Sequence, residues 1–208
     1  MRRVLLGLTV MALTVLTVAG AANAAPGQVT QFRFKGSFAE AAWSTSSTDT
    51  YVNVSQSTQG SELFIDQFTA NFDASGNFTG ETDTSADVTS GFSFAIEKRS
   101  LASASVSGSG LPATTCTFDA NFNLIGCTAT TIDATAAWTG QGPITRGVSN
   151  DHFKSDGFSE RDHFNGTDRN ATATGTIAGL TLTASDLEFA DLGTTNAGST
   201  TICIGSSC

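Results

Sequence analysis

The sequence predicts an all-β protein: an antiparallel meander of about a dozen short strands closed as a β-barrel, with a two-sheet β-sandwich as the alternative. Three observations lead there. Apolar and polar residues alternate with period two through most of the chain beyond residue 25. Turn-forming pairs, among them Ser75-Gly76, Asp156-Gly157, Asn165-Gly166 and Ala178-Gly179, separate the alternating runs at short intervals. Composition excludes the helical classes, because only 14% of residues are charged and Lys, Arg, Glu and Leu are scarce. Short connections make sequential strands antiparallel, and closure of the sheet protects its edges.

The first segment is an address. Arg2 and Arg3 precede an apolar run from Val4 to Val18, and Ala22-Asn23-Ala24 supplies the small residues a signal peptidase reads. Residues 1–24 are therefore expected to be a cleaved signal peptide and residues 25–208 a single all-β domain. The run is short for a transmembrane helix, and no later stretch could span a bilayer as a helix. The expected location is secreted or at the exterior of the cell envelope.

The strands follow in order. Phe32, Phe34 and Phe38 share one face, although Phe38 to Trp43, with Ala39, Glu40, Ala41 and Ala42 between them, also fits a helical turn. Val52 and Val54 mark the next strand. Phe64, Phe68, Ala70 and Phe72 then alternate with Leu63 and Ile65, and most Phe residues are expected on buried faces. Ala86, Val88, Ser90, Phe92, Phe94 and Ile96 form the cleanest apolar face, opposite Asp87, Thr89, Ser93 and Glu97. Ala102/Ala104/Val106, Ile132/Ala134/Ala136/Trp138, Ala171/Ala173/Ile177, Leu180/Leu182 and Leu187/Phe189 repeat the theme. Trp138 continues an inward face, so packing rather than glycan stacking is its expected role.

A duplication links two of these segments. FDASGNFTGETDTSADVT from Phe72 matches FDANFNLIGCTATTIDAT from Phe118 at nine of eighteen positions. A turn centred on Asn121-Phe122 sets Cys116 opposite Cys127, and the same register sets Ala70 opposite Glu81. The chain's four cysteines fall as two close pairs, so near-neighbour disulfides Cys116–Cys127 and Cys203–Cys208 are expected. Neither spacing fits a zinc knuckle or a redox C-x-x-C.

The chemically dense stretch is VSNDHFKSDGFSERDHFNGTDRN, from Val148 to Asn170. It holds both histidines, in the triplets Asp151-His152-Phe153 and Asp162-His163-Phe164. A hairpin turning at Asp156-Gly157 puts His152 opposite Arg161 with His163 diagonally near. A turn at Gly157-Phe158 puts the histidines face to face. Either register puts both imidazoles on one face, which suits a divalent metal, a general base or a pH switch. His152, His163, Asp151 and Asp162 are thus the candidate ligand or metal residues. The plainer reading is a solvated polar hairpin, and Asp151 and Asp162 fall on the face away from the imidazoles.

Other chemistry is sparse. The string Gly91-Phe92-Ser93-Phe94-Ala95 lacks the final glycine of a nucleophile elbow. Asp83, Asp87, Asp186, Glu188 and Asp191 do not fall in an EF-hand pattern and read as exposed acids. A formal charge of −9 argues against a nucleic-acid partner. The expectation is an exported, non-catalytic β domain that binds a ligand or partner or serves structurally, with no catalytic residue and no cofactor. Its ligand would be an apolar small molecule in the barrel or a partner at the surface. The alternative is an exported metal-dependent or hydrolytic enzyme centred on the His152/His163 hairpin, holding a divalent metal.

Overall fold

The computed structural model describes residues 28–155 and 158–204, which are strands joined by short turns. The expected signal peptide lies outside the described residues. Eleven strands form one antiparallel sheet: β1 (Gln28–Ser44), β2 (Thr48–Ser57), β3 (Gly60–Phe72), β4 (Phe78–Val88), β5 (Phe92–Ile96), β6 (Ser103–Asp119), β7 (Leu124–Gly140), β8 (Thr145–Ser155), β9 (Phe158–Ile177), β10 (Leu180–Leu182) and β11 (Leu187–Ile204).

Three consecutive pairs act as single, interrupted strands. β4 and β5 both run along β6, β7 and β8 both run along β9, and so do β10 and β11. The ladders then pass from β1 through β2, β3, β4, β6, β7, β9 and β11 back to β1, closing a ring of hydrogen bonds. The strands are longer than the sequence suggested, since β9 alone spans 20 residues. The reason is that several turn-like sequences are tolerated within strands. Asn165-Gly166 is one, lying inside β9 opposite Thr195 and Ala197 of β11. The stretch from Phe38 to Trp43 is strand, not helix, and its Ala39, Ala41 and Trp43 alternate inward as a strand requires.

The lumen is filled in layers. One runs Ala190, Ala41, Val52, Ile65, Ala86 around half the ring; the next runs Leu192, Ala39, Val54, Leu63, Val88. Trp138, Ala136, Ala134, Ala173 and Ile177 complete the other side. Small alanines on β1 and β9 leave room for two tryptophans that reach across. Trp43 Nε1 on β1 donates to the Ala173 carbonyl on β9 at 3.3 Å, and Trp138 Nε1 on β7 donates to the Glu40 carbonyl on β1 at 2.8 Å. Each bond satisfies an indole N–H that would otherwise be buried unpaired.

The phenylalanines break the expectation that they are mostly buried. Among the residues whose side chains are described, none belongs to the fully buried set, and only Phe92 and Phe94 pack against the core, partly covered. On β3 the inward residues are Leu63 and Ile65, so Phe64, Phe68 and Phe72 face outward. Branched aliphatics fill a narrow barrel in well-defined rotamers, whereas the longer rings lie along the outer wall. One use of these rings is to cover glycine. A Cβ on Gly193 would meet the Phe38 ring at 2.2 Å, so the ring lies directly over that backbone. Gly193→Ala is therefore expected to displace the ring and lower stability by about 1 kcal/mol. Chemical denaturation of both proteins checks this, and an unchanged midpoint would contradict it.

The duplicated hairpins match in detail. Asp73 N–H donates to the Asn77 carbonyl as Asp119 N–H donates to that of Asn123. Each aspartate accepts from the backbone two and four residues on, Ser75 and Asn77 in one and Asn121 and Asn123 in the other. The left-handed position is Gly76 in the first copy and Phe122 in the second. Ala70 pairs with Glu81 and Cys116 with Cys127, where a disulfide crosses between strands at a Cα–Cα distance of 4.0 Å. Cys203 is also disulfide-bonded, and its expected partner Cys208 lies outside the described residues.

Candidate functional site

The β8–β9 ladder pairs Ser155 with Phe158, the first of the two registers open to the sequence, with residues 156–157 outside the described residues. His152 is opposite Arg161, and His163 is opposite Asn150. The imidazoles share a face, diagonally related, as that register requires. His163 Nδ1 and Asn150 Oδ1 lie 2.6 Å apart, which ties that ring nitrogen to an amide. Asp151 pairs with Asp162 on the opposite face, where Thr200 Oγ1 donates to Asp162 Oδ1 at 2.6 Å. The structure thus brings the histidines together and separates them from both carboxylates. Among the described residues no group of three His, Cys, Asp or Glu side chains is arranged to hold a metal ion.

A larger pattern surrounds this hairpin. Take the lower end of the barrel as the one with the β2–β3, β5–β6 and β8–β9 turns. Beyond Arg2 and Arg3, the cations of the chain are Arg33, Lys35, Lys98, Arg99, Arg146, Lys154, Arg161 and Arg169. All fall on the lower parts of β1, β8 and β9 or in the β5–β6 turn. Residues 36–97, 100–145 and 170–208 contain neither Lys nor Arg. Arg169 closes this end, donating through Nε to the Gly142 carbonyl at 3.0 Å and through a terminal nitrogen to that of Ser100 at 3.0 Å.

Carboxylates accompany the cations there, with Glu97, Asp151, Glu160, Asp162 and Asp168 in the same segments, and a second group without Lys or Arg lies on the outer wall of β11, β1, β2, β3 and β4. One row across it reads Asp191, Glu40, Asn53, Phe64, Asp87; the next reads Phe189, Ala42, Tyr51, Asp66, Ser85; a third holds Asp49, Phe68 and Asp83. Tyr51 sits among them with ring centroids 6.1 Å from Phe64 and 6.4 Å from Phe189. Its hydroxyl donates to Glu40 Oε2 at 2.9 Å. Burial, and then the Glu40 carboxylate beside it, pushes the Tyr51 phenol above its usual range.

Crowding of like charge marks the same wall. Burial, then a hydrogen bond and the charge of Asp83, raise Asp66 from 3.8 to about 6. Burial followed by Asp87 raises Glu62, and burial followed by Glu40 and Asp168 raises Asp191. A carboxyl whose folded pKa exceeds its unfolded value binds its proton more tightly in the native state. Stability from Asp66 is thus greatest at low pH and falls as pH rises from about 4 through about 6. The turn aspartates oppose this at lower pH. Hydrogen bonds, those from Asn77 and Asn123 first, lower Asp73 and Asp119, whose contribution is present above their ordinary range and lost on acidification. Thermal stability is therefore expected to be higher near pH 5 than at pH 7 (about 1 kcal/mol from Asp66 after allowing for its partial exposure). Asp66→Asn is expected to raise stability at pH 7 and flatten that slope. Melting curves at both pH values check it, and an unchanged slope would refute the assignment.

The wall and the cation-bearing end were missed in the sequence because each joins residues far apart in the chain. The signal available was the three long segments without Lys or Arg. Two open depressions lie on the surface: about 650 Å³ beside Gly91, Ser93, Ser107 and Asp133, and about 410 Å³ beside Lys35 and Lys98. Among the described residues no helix is long and apolar enough to cross a membrane. No family model, no curated protein and no solved structure matches the chain.

Proposed function

We propose that the chain is an exported, non-catalytic module that binds a partner through the outside of its barrel, at the cell exterior. The observation that supports this most is the uneven charge: one wall bears carboxylates interleaved with Tyr51, Phe64, Phe68 and Phe189 and no Lys or Arg, while the cations beyond residue 3 all lie at the lower end among other carboxylates. A wall of one sign steers and orients a partner of the other. Burial first and neighbouring carboxylates second raise Asp66, Glu62 and Asp191, so a cationic partner at this wall would relieve the repulsive part.

Two observations bear on the rival readings. An apolar ligand inside the barrel receives little support, since Trp43, Trp138, Leu63, Ile65 and Leu192 occupy the lumen. An enzyme at the histidine hairpin receives little either, because Asn150 engages His163 and Asp151 and Asp162 face away. Disulfide Cys116–Cys127 fits an oxidising compartment. Outward positions such as Ser105, Ser107, Asp133, Thr135 and Thr139 fit a wall facing water rather than lipid.

The test is retention of purified residues 25–208 on envelope material from the producing cell across a salt series. The reading expects binding that weakens as salt rises from about 0.05 M to about 0.5 M, as screening shortens the reach of surface charge. Binding indifferent to salt, or none, would overturn it.

A further inference from the structure

We infer that the lower end carries a binding site for a tetrahedral oxyanion, a phosphate or sulfate group either free or borne on a larger molecule. This inference stands on the local backbone and not on the partner-binding reading. One irregularity of β11 disturbs both of its ladders there. In the β11–β9 ladder Thr195 pairs with Gly166 and Ala197 with Asn165, leaving Asn196 as the extra residue. In the β1–β11 ladder Phe34 pairs with Gly198 and Gly36 with Thr195, so Lys35 stands alone opposite Asn196 and Ala197. A bulge takes its residue out of the ladder and re-aims the side chain. Asn196, and Lys35 opposite it, line the same depression of about 410 Å³.

The rest of its lining supplies donors of the right kind. Lys98 reaches in from the β5–β6 turn, and Ser57, Thr58 and Gln56 come from the end of β2. Thr58 N–H donates to the Lys35 carbonyl at 2.9 Å, holding the β2–β3 turn against the bulge. No carboxylate lines the depression. Two ammonium groups, hydroxyls and carboxamides are a donor set for an anion, with lysine as the point charge. Beneath it lies Ser37, which is 3% exposed and pairs with Gln56 and with Thr194, both lining residues. Its hydroxyl is buried without a hydrogen-bond partner, a group that costs stability unless something reaches it.

The experiment is a titration of isotope-labelled residues 25–208, followed by amide chemical shifts. Sodium phosphate and sodium sulfate are compared with sodium chloride at equal ionic strength, and, by sedimentation, with vesicles of phosphatidylglycerol and phosphatidylcholine. The expected result is saturable shifts at Lys35, Thr58 and Asn196 with the oxyanion and not with chloride. The Lys35→Gln/Lys98→Gln protein should bind at least about tenfold more weakly with its melting temperature unchanged, since both side chains are exposed. Saturation by the free ions assigns a soluble ligand. Sedimentation with vesicles that the double substitution abolishes assigns a lipid headgroup. Shifts that follow ionic strength alone, or binding by both free ions and vesicles that the double substitution leaves intact, would overturn the site. A loss of envelope retention with intact oxyanion binding would overturn the partner reading and leave this site standing.

Discussion

Trp138→Ala is expected to destabilise the barrel by about 4 kcal/mol, the largest effect of any single substitution considered. Trp138 is 1% exposed, and its ring fills space that Ala104, Ala136 and Ala173 are too small to occupy. Truncation removes the buried ring and leaves a cavity that a closed ring of strands collapses into poorly. It also strips the Glu40 carbonyl of the indole N–H that reaches it at 2.8 Å. Trp138→Phe should recover most of the packing and lose mainly the hydrogen bond, at a cost of about 1 kcal/mol relative to wild type. Urea denaturation of the three proteins separates the two contributions. Equal midpoints for Phe and Ala would mean that the hydrogen bond, not the ring, carries the effect.

Arg169→Ala is expected to lower stability by about 2 kcal/mol. The guanidinium joins the β5–β6 turn, through Ser100, to the β7–β8 connection, through Gly142. These are charge-assisted bonds from one rigid fork to separate segments, stronger than neutral ones. Their loss should also loosen the lower end locally. Amide exchange at Leu101 and Gly142 should therefore quicken beyond the global change, while exchange at Val52 and Ile65 follows the fall in overall stability. Arg169→Lys should not rescue the effect, because a single ammonium cannot span the carbonyls of two segments. Full rescue by lysine would show that charge alone matters there.

How far the sequence speaks depends on whether the physics is local. Alternation is local, so Ala86/Val88 and Ile132 to Trp138 were legible as inward faces and are buried. Turn chemistry is local too, and the Asp73 and Asp119 turns, with the Cys116–Cys127 register, follow from it. Period two does not say which face of a strand is inside when both are apolar. On β3 the choice between Leu63/Ile65 and Phe64/Phe68 is made by the width of the lumen, a property of the closed ring. Strand length was misjudged for a similar reason. Gly166 sits within β9, where the ring of Phe164 covers it and Thr194 approaches its backbone. The histidine pair was legible because its hairpin is local. The acidic wall was not, because Asp191, Glu40 and Asp87 meet only after β11, β1 and β4 take their places.

On the reading proposed above, this barrel works from its outside, through its uneven surface charge. The measurement that tests it most directly compares retention on the producing cell's envelope for wild type, a wall variant (Glu40→Gln/Asp66→Asn/Asp83→Asn) and an end variant (Lys35→Gln/Lys98→Gln), each first shown to melt cooperatively. Wild type is expected to show salt-sensitive retention, lost in at least one of the two variants. Equal retention of all three, unaffected by salt, would contradict it.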